Sequence, residues 1–452
     1  MLFSCVHAQD QPNIIFILAD DLGYGDLSCY GAKDLQTPNI DALAQQAITF
    51  TRAYANSTVC SPSRASILTG NYPDLVGVPG VIRDMQDNTW GNLRDDITTL
   101  PEELQKLNYN TALIGKWHLG YKSPDLPNDR GFDYFKGFVG DMMDDYYTHR
   151  KAGVNWMREN NQVINPKGHA TDLFTDWTLE YLREQNKQEK PFFLFLTYNA
   201  PHDPVQPPQE WLSKIQNKEQ NSTLKRQKMI AFVEHLDYNV GRILDQLNNS
   251  DLGENTIVVF TSDNGGALQY GASNNPFTGG KGDFFEGGIR VPFVIAGPQI
   301  LAGLESKTPI THSDLLPTII DLAGLKLPLQ DDLDGGSFKA ILANKGKGNV
   351  SRFSEGLIFH VPYKNGIALK RAHSAIIIDN FKLIKFYDNG ELMLFNLNED
   401  LEEKNNLALS LPNKVHTLEK ALDTYLSKVK APKWKPGITW KDKPIEKINS
   451  YH

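Results

Sequence analysis

The chain has 452 residues, 40% of them apolar, and its formal net charge at pH 7 is −8. This length accommodates one large domain with a smaller one, or two to three domains of ordinary size, with enough apolar residues for a substantial core. The negative charge argues against a general polyanion-binding surface, such as one for nucleic acid. Cys5, Cys29 and Cys60 are the only cysteines, which excludes a disulfide framework.

The first residues, MLFSCVHAQD, look like the end of an export signal. Val6-His7-Ala8 has the small-residue pattern of a cleavage site, so residues 1–8 would be a signal remnant. The alternatives are a lipoprotein box ending at Cys5, which Phe3 fits poorly, and an ordinary disordered terminus. No run of about eighteen apolar residues predicts a membrane-spanning helix. We therefore expect export to the periplasm or the medium, with a surface lipoprotein as the variant.

Up to about residue 340, short apolar runs alternate with helical patterns. A helix start is predicted at Thr99, where Glu102 completes a capping box, and residues 314–322 predict a helix that Gly324 ends. We expect an α/β fold with a large central, mixed but mostly parallel sheet flanked by helices. Four runs are apolar on both faces, as central strands of a covered sheet are: Asn13–Ala19, 111–115, 191–198 and Thr256–Ser262.

The character of the sequence changes after residue 343, where 344–350 (NKGKGNV) is predicted to be a linker. Asn365-Gly366 and Asn389-Gly390 predict turns, and the second lies within KLIKFYDNGELMLFNL, a pattern typical of a β-hairpin. Residues 411–429 predict an amphipathic helix. We expect a main domain over 9–343 and a smaller subdomain over 351–452, with an antiparallel sheet, a helix and an extended tail.

Polar residues follow each of the four apolar runs. Ligands of α/β sheets bind beyond the carboxyl ends of the strands, so these residues predict one shared site. Three carboxylates and an amide oxygen suit Ca²⁺ or Mg²⁺ better than Zn²⁺; capping or turn roles are the alternative for the adjacent acids, which would repel each other without a metal. The residues are Asp20, Asp21, Lys116, His118, His202, Asp263 and Asn264.

Cys60 precedes a predicted short helix, with Pro62 placed for the first turn and Gly70 as its stop. The helix N-terminus would favour an anion beside Cys60. A cysteine in this position can be an ordinary thiolate nucleophile, and the helix pattern alone leaves its chemistry open.

The motif Cys-x-Pro-x-Arg at residues 60–64, within CSPSRASILTG, resembles the signature of the formylglycine-dependent sulfatases of the alkaline phosphatase superfamily. The resemblance covers residues 12–325 and is weaker beyond them, where ELMLFNLNEDLEEKNNLA is the best match. It implies an alkaline-phosphatase-like fold and the hydrolysis of sulfate esters. Other segments resemble the family in the same order: ILADDLGYGDLSCYG, TPNIDALA, LIGKWHLG, YNAPH, TSDNGG and GGKGDFFEGGIRVPF.

The resemblance implies that a formylglycine-generating or anaerobic sulfatase-maturating enzyme oxidises Cys60 to formylglycine (3-oxoalanine). One hydroxyl of the hydrated aldehyde would attack the sulfate sulfur, and deprotonation of the other would release sulfate. One Ca²⁺ would be bound by the modified Cys60 together with Asp20, Asp21, Asp263 and Asn264.

The resemblance also implies roles for the remaining polar residues. Arg64 would hold the aldehyde hydrate, and Lys116 and Lys281 would contact sulfate oxygens. His118 would be the base that collapses the intermediate, and His202 would protonate the leaving oxygen, with Lys281 as a second donor.

Several polar or aromatic residues have a structural interpretation. Trp117 is expected to pack, Glu286 and Arg290 to pair beneath a glycine-rich loop, and His312 and Asp314 to begin a helix. For a further set, a place at the substrate mouth and an ordinary structural role are equally compatible with the sequence: Arg83, Trp90, His149, His360 and Arg371.

Two alternatives remain. A phosphatase, phosphodiesterase or phosphonate hydrolase of the same superfamily would usually need two metals and more histidine ligands, and here Asn264 follows Asp263, although some phosphonate hydrolases use formylglycine. The other is a catalytically inactive, calcium-stabilised carbohydrate-binding protein. The presence of every expected catalytic residue argues against this second alternative. We expect a sulfated polysaccharide or oligosaccharide as substrate; the sugar, the sulfate position and the oligomeric state are not predicted.

Overall fold

The computed structural model describes residues 11–84, 89, 91–325, 333–361 and 371–431. The strands in these ranges are β1 Asn13–Ala19, β2 Ile48–Tyr54, β3 Asn110–Lys116, β4 Tyr134–Phe138, β5 Arg150–Lys151, β6 Val154–Asn155, β7 Met157–Glu159, β8 Gln162–Val163, β9 Phe192–Thr197, β10 Thr256–Ser262, β11 Arg290–Ala296, β12 Leu304–Ser306, β13 Ile310–Thr311, β14 Leu357–Val361, β15 His373–Ile378, β16 Phe381–Phe386 and β17 Leu392–Asn396. The α-helices are α1 Pro38–Gln45, α2 Cys60–Thr69, α3 Leu100–Lys106, α4 Ala170–Gln185, α5 Gln209–Lys218, α6 Leu224–Asn248, α7 Glu286–Ile289, α8 Leu315–Leu322, α9 Lys339–Ala343 and α10 Pro412–Lys428.

The large sheet has the strand order β12-β2-β11-β10-β1-β9-β3-β4-β7-β8, with β13 also paired to β2. The four predicted central strands are neighbours at its middle, and β10, β1, β9 and β3 all run parallel. Antiparallel pairs occur towards the edges, between β10 and β11, β11 and β2, and β4 and β7. The mixed, mostly parallel sheet is therefore confirmed, and its central strands end on the same edge.

Both faces of the large sheet are buried. Along β1, Ile15 and Ile17 lie in one core with residues of α1, α4 and α6, whereas Phe16 and Leu18 lie in a second core with residues of α2, α3 and α8. Alternate side chains of a strand point to opposite faces, so a strand covered by helices on both sides must be apolar throughout. This is why the four central runs carry no charged residue.

The two predicted helix boundaries in this part of the chain are confirmed. At the start of α3, the Thr99 N–H donates to Glu102 Oε2 over 2.6 Å, which is one half of the capping box. At the other boundary, α8 ends at Leu322, and Gly324 adopts the left-handed conformation (φ = 91°).

The smaller C-terminal sheet is antiparallel, with the order β14-β15-β16-β17. One face packs against α10, with Leu383 and Leu422 in a shared hydrophobic cluster, and the other packs against Tyr54 and Phe284 of the main part of the chain. The predicted hairpin is β16–β17, and Gly390 in its turn has a φ of 73°. Asn365-Gly366 and the predicted tail lie outside the described residues, as does the N-terminal export segment.

Two further features bear on the organisation of the chain. The predicted linker at 344–350 follows α9 directly and is hydrogen-bonded to the end of β12, where Ser306 Oγ donates to Gly346 O over 2.6 Å. Where the two predicted domains divide stays a prediction. In the part of the chain that the structure describes, no helix is long and apolar enough to cross a membrane.

Candidate active site

The polar residues that follow the four central strands meet at one edge of the sheet. Ala19 of β1 lies beside Ser262 of β10, so Asp20 and Asp263 are neighbours. Lys116, the last residue of β3, reaches Asp20, with 2.5 Å between its Nζ and Asp20 Oδ2. Burial opposes ionisation of Asp20, but the charges of Lys116, His202 and Arg64 outweigh it and hold its pKa below the usual value.

Cys60 is the first residue of α2 and lies in the same cluster. Its Sγ is 3.3 Å from Asp20 Oδ1 and 3.7 Å from Lys281 Nζ, and the residue is 3% exposed. Pro62 lies in the first turn of the helix, and Gly70 ends it in the left-handed conformation (φ = 70°). Burial, reinforced by the charges of Asp20 and Asp263, raises the pKa of the Cys60 thiol well above its usual value. A neutral thiol is a weak nucleophile, which argues against an ordinary thiolate mechanism.

Arg64 lies one turn further along α2 and is fully buried. Its Nε and Nη2 donate to Asp263 Oδ2 over 3.1 and 3.0 Å, and its Nη1 donates to Lys116 O over 2.8 Å. These bonds connect α2 with the ends of β10 and β3. The guanidinium is therefore fixed in position beneath the cluster rather than free to follow a ligand.

Asp21 and Asn264 form the second half of the cluster. Asn264 Nδ2 donates to Asp21 Oδ1 over 2.7 Å, and Lys281 Nζ is 2.8 Å from Asp21 Oδ2. Asp21 has a φ of 64°, an uncommon conformation for a residue with a side chain. Asn264 Oδ1 is buried and makes no hydrogen bond with the described residues. An unpaired buried acceptor is costly, and a cation beside it would satisfy it.

The two histidines of the cluster have different environments. His118 is 2% exposed. Its Nε2 lies 3.1 Å from Ile82 O, and because a carbonyl oxygen only accepts, this nitrogen carries the proton. The other ring nitrogen, Nδ1, has no hydrogen-bond partner among the described residues. Burial and the nearby charges of Lys116 and Arg64 lower its pKa well below the usual value, so the ring is neutral. His202 donates from Nδ1 to Asp203 O over 2.7 Å, and its Nε2 lies 3.6 Å from Asp21 Oδ2.

This arrangement fits a hard cation. Asp20, Asp21, Cys60 and His202 place ligand atoms within 4.8 Å of one another. Asp263 adjoins the same group, because its Oδ1 accepts the Asp21 N–H over 3.2 Å. Carboxylate and amide oxygens are the ligands that Ca²⁺ and Mg²⁺ prefer, and the unpaired oxygen of Asn264 has the right chemistry to complete such a set.

A cavity of about 120 Å³ opens above Cys60. Asp21, His118, His202 and Lys281 line it, so the ionisable groups of the cluster face a common space. Sequence reasoning missed several lining residues: Asp141, Lys151, Asp203, Gln269 and Tyr270. Asp203 could have been predicted to lie near the cavity because it follows His202 in the chain, whereas nothing in the sequence around Lys151 indicates this location.

The five residues suggested for the substrate mouth do not all lie at the cavity. Arg83 lines the cavity, and Trp90 lies outside the described residues. The other three do not line it. His149 Nε2 donates to Gly168 O over 3.0 Å. His360 Nδ1 is 2.5 Å from Ser374 Oγ within the C-terminal sheet, and Arg371 pairs with Asp388 and Glu391 over 2.8 Å each, stacked on Phe386.

The residues to which the sequence assigned structural roles make buried structural contacts. Trp117 is buried in the core and donates from Nε1 to Asp125 O over 2.7 Å. Glu286 Oε2 accepts from Arg290 Nη1 over 3.0 Å. Asp314 accepts from the N–H of Thr311 over 2.7 Å at the helix start. His312 is buried, and burial lowers its pKa to about 4.

Comparison with known proteins identifies the family. A family model described as Sulfatase matches residues 12–325, more than half of the chain. The chain belongs to the sulfatase family. A second model, for the C-terminal part of N-sulphoglucosamine sulphohydrolase, matches residues 280–431 of this sulfatase-family chain.

Individual sulfatase relatives and structures agree with this assignment. The N-acetylgalactosamine-6-sulfatase of Rattus norvegicus is 34% identical over 349 residues, covering 73% of the chain but only 65% of the relative's length. A sulfatase of Formosa agariphila is 30% identical, with 92% and 87% coverage. The crystal structure of Ps i-CgsB in complex with k-i-k-neocarrahexaose has a TM-score of 0.85 at 29% identity, covering 97% of this chain and 96% of the other.

Proposed function

We propose that the protein hydrolyses sulfate esters of a carbohydrate through a formylglycine formed from Cys60. The observation that carries this proposal is the position of Cys60, at the helix start in the family's motif, where its Sγ lies between Asp20 and Lys281 on the cavity. Two of the compared proteins support the substrate class, since one is named for a sulfated amino sugar and the other is bound to a hexaose.

We propose Asp20, Asp21, Asp263, Asn264 and the modified residue 60 as the ligands of one Ca²⁺. The three carboxylates are balanced within the cluster by Arg64, Lys116 and Lys281. A divalent cation would therefore leave a positive surplus, which an anionic sulfate ester would reduce. When bound, the ion would polarise the sulfate oxygens and favour ionisation of the attacking hydroxyl.

The side chains around the cavity supply the remaining chemistry. Arg64 is held by Asp263 close to residue 60, so it can orient the aldehyde hydrate without moving. Lys281 lines the cavity, where it would stabilise charge that develops on the sulfate oxygens. Lys116 is fully buried against Asp20 and does not line the cavity, so it would add positive charge to the site from within the protein.

The two histidines suit opposite proton-transfer steps. His118 keeps a free lone pair on Nδ1, the requirement for the base that takes a proton from the hydrate and releases sulfate. His202 lines the cavity and presents Nε2 there, 3.6 Å from Asp21 Oδ2, which is the position required of the acid that protonates the leaving oxygen.

The proposal includes two conditions outside the active site. The first is that a formylglycine-generating or anaerobic sulfatase-maturating enzyme acts on Cys60. The second is export of the chain, which would bring the protein into contact with polysaccharides outside the cytoplasm. The domain boundary near residues 343–351 is proposed with it. A sulfate-specific activity would distinguish this function from phosphonate or phosphodiester hydrolysis.

The test is turnover of matched esters. Protein co-expressed with a maturation enzyme is given a panel of sulfated oligosaccharides, and sulfate release is compared with phosphate release from phosphate and phosphonate esters. We expect sulfate release that Cys60→Ala abolishes. Turnover of phosphonates or phosphodiesters with no sulfate release from any ester would replace the proposed function by its rival.

A further inference from the structure

His202 lies in a tight turn just after the end of β9. The His202 N–H donates to Asn199 O over 2.9 Å and closes the turn. Within the turn, Ala200 O accepts from the Asp20 N–H over 3.1 Å, so the turn is bonded to the segment after β1 that carries proposed metal ligands. The position of the His202 ring therefore depends on how firmly the backbone of residues 199–202 is fixed.

The side chain of Tyr146 contacts both ends of this turn. Its hydroxyl donates to Asn199 O over 2.7 Å and lies 3.0 Å from His202 O. Because carbonyl oxygens only accept, the phenol is the donor, and its single hydrogen is shared between the two. Burial, reinforced by the charges of Asp20 and Asp21, raises the pKa of Tyr146 well above its usual value. The hydroxyl therefore keeps its hydrogen and ties the first carbonyl of the turn to the last.

Tyr146 is itself held firmly in the core. It is 1% exposed, its ring stacks on His169 with 5.2 Å between the ring centroids, and it meets Phe232 edge-to-face at 5.0 Å. Its backbone N–H donates to Gln206 Oε1 over 2.8 Å, and its carbonyl accepts from the Ala170 N–H over 2.9 Å. A hydroxyl on a ring fixed in this way is a rigid support for the turn that it contacts.

The ring of His202 extends from this turn into the cavity. Its Nδ1 donates to Asp203 O over 2.7 Å, which fixes the ring relative to the adjoining backbone, and its Nε2 lies 3.6 Å from Asp21 Oδ2. The ring therefore moves with the backbone of the turn. A proton donor must lie within about 3 Å of the oxygen that it protonates, so a small displacement of the turn would affect proton transfer first.

We infer that Tyr146 is a positioning residue for His202: its hydroxyl fixes the turn at residues 199–202 so that His202 Nε2 faces the leaving oxygen of the ester. The inference rests on the proposed function and adds to it a residue that does not line the cavity. If the hydroxyl only satisfied two carbonyls, its loss would lower stability and slow every ester alike. A positioning residue affects only those esters whose leaving oxygen needs a proton.

The experiment compares two sulfate esters on protein co-expressed with a maturation enzyme and supplied with Ca²⁺. The leaving group of a sugar sulfate is an alkoxide, which requires a proton, whereas that of para-nitrophenyl sulfate is a stabilised phenolate, which does not. Tyr146→Phe removes the hydroxyl and keeps the ring that packs in the core. We expect kcat/KM to fall roughly tenfold or more for the sugar ester, through kcat, and to change less than about twofold for the aryl ester.

Two further variants complete the design. Tyr198→Phe removes a buried hydroxyl 2.7 Å from Thr175 Oγ1, just before the turn, and we expect it to lower the Tm without distinguishing the two esters. The second needs the sugar ester alone: in a His202→Ala background, Tyr146→Phe should slow its hydrolysis no further, because the residue that Tyr146 positions is gone. An equal fall for both esters, no fall for the sugar ester, or a full additional fall without His202 would overturn the inference.

A spectroscopic measurement separates this inference from the proposed function. If wild-type protein releases no sulfate from any ester, the proposed function has failed, and the His202 ring is then followed by NMR of protein labelled with isotope-enriched histidine, its signals assigned from His202→Ala. Tyr146→Phe should shift or broaden the ring signals of His202, and Tyr198→Phe should leave them unchanged. Identical His202 signals in wild type and Tyr146→Phe would reject the positioning role, whether or not sulfate is released.

Discussion

At the residue scale, the unpaired Oδ1 of Asn264 is the clearest sign that the cluster is built around a cation. Its Nδ2 is committed to Asp21 and to Gly265 O, so the amide orientation is fixed and Oδ1 is left without a partner among the described residues. A buried acceptor of this kind is costly to leave unsatisfied. A cation bound there, as proposed, would stabilise the fold as well as assist the chemistry, because it would bind the folded chain alone.

Asn264→Leu removes this oxygen and keeps a branched side chain of similar shape. Wild-type protein treated with a chelator should gain several degrees in Tm when Ca²⁺ is returned, since ligand binding to the folded state alone adds about 3 kcal/mol at a hundredfold excess over Kd. The variant should lose most of that gain, together with sulfate release. Differential scanning fluorimetry with a calcium titration measures the effect.

A matched control is Asn239→Leu, which changes a buried asparagine of α6 that donates to Asp172. It should lower the Tm but keep the calcium-dependent gain. If Asn264→Leu keeps the full gain, Asn264 is not a ligand and the proposed ion set is wrong.

At the element scale, the C-terminal sheet supports the segment that carries Lys281. Lys382 of β16 is fully buried, with 2.6 Å to Glu403 Oε1 and 3.0 Å to Glu286 Oε1, and Glu286 starts α7 just after that segment. Helix α7 itself passes close to the loop after β10, where a Cβ at position 265 would lie 1.9 Å from Gly287 O. Only glycine fits this approach, so position 265 cannot carry a side chain without displacing α7.

Lys382→Met should therefore destabilise the protein strongly. The substitution leaves two buried carboxylates without their shared cation, for which a loss of about 3–5 kcal/mol is usual. The free energy of unfolding in urea, measured for wild type and variant, gives the value directly.

Lys385→Met is the matched control on the same strand. Its ammonium pairs with Glu419 and Asp423 on a partly exposed face, so we expect a loss of less than about 1 kcal/mol. Equal losses in the two variants would show that the buried triad does not hold the C-terminal sheet to the rest of the chain.

The elements also show what the sequence can and cannot predict. The four central strands were predictable because a strand covered on both faces is apolar at every position, and the hairpin β16–β17 because Asn389-Gly390 marks its turn. Their order, with β1 between β10 and β9, depends on long-range pairing that no local pattern encodes. The two-residue strands β5 and β6 are too short to leave a pattern, and Lys151 was missed with them.

For the candidate site, residue types and strand ends predicted that acids, an amide, a lysine and histidines would meet, and the structure brings them together. The individual roles came from the family resemblance rather than from the residues. The contacts of Arg83 and Lys151 with Asp141 could not be predicted from the sequence, because the three residues belong to separate segments of the chain.

At the scale of the whole molecule, a buried acid links the main part of the chain to α10. Asp334 accepts from the Tyr72 N–H over 2.8 Å and lies 3.5 Å from the Tyr425 hydroxyl of α10. Burial raises its pKa from 3.8 to about 7. Between these pH values the folded state binds a proton that the unfolded state has lost, so stability falls as pH rises from about 4 to about 7 and then stays level.

Asp334→Asn should remove this dependence, because the amide does not titrate. Between pH 5 and pH 8 we expect the free energy of unfolding to fall by about 2 kcal/mol more in wild type than in the variant. This difference lies below the maximum that the raised pKa of Asp334 allows. Urea unfolding at both pH values measures the difference. Asp251→Asn, at an exposed position, should keep the wild-type slope; an unchanged slope in Asp334→Asn would show that Asp334 is ionised at neutral pH.

The central claim is that residue 60 acts as an aldehyde hydrate and not as a thiol. Protein made with and without a maturation enzyme is measured by intact mass and by sulfate release from the same oligosaccharide ester. The account predicts a species about 18 Da lighter than the cysteine form, and activity in proportion to the modified fraction. Full sulfate release by protein whose residue 60 is wholly unmodified cysteine would contradict it.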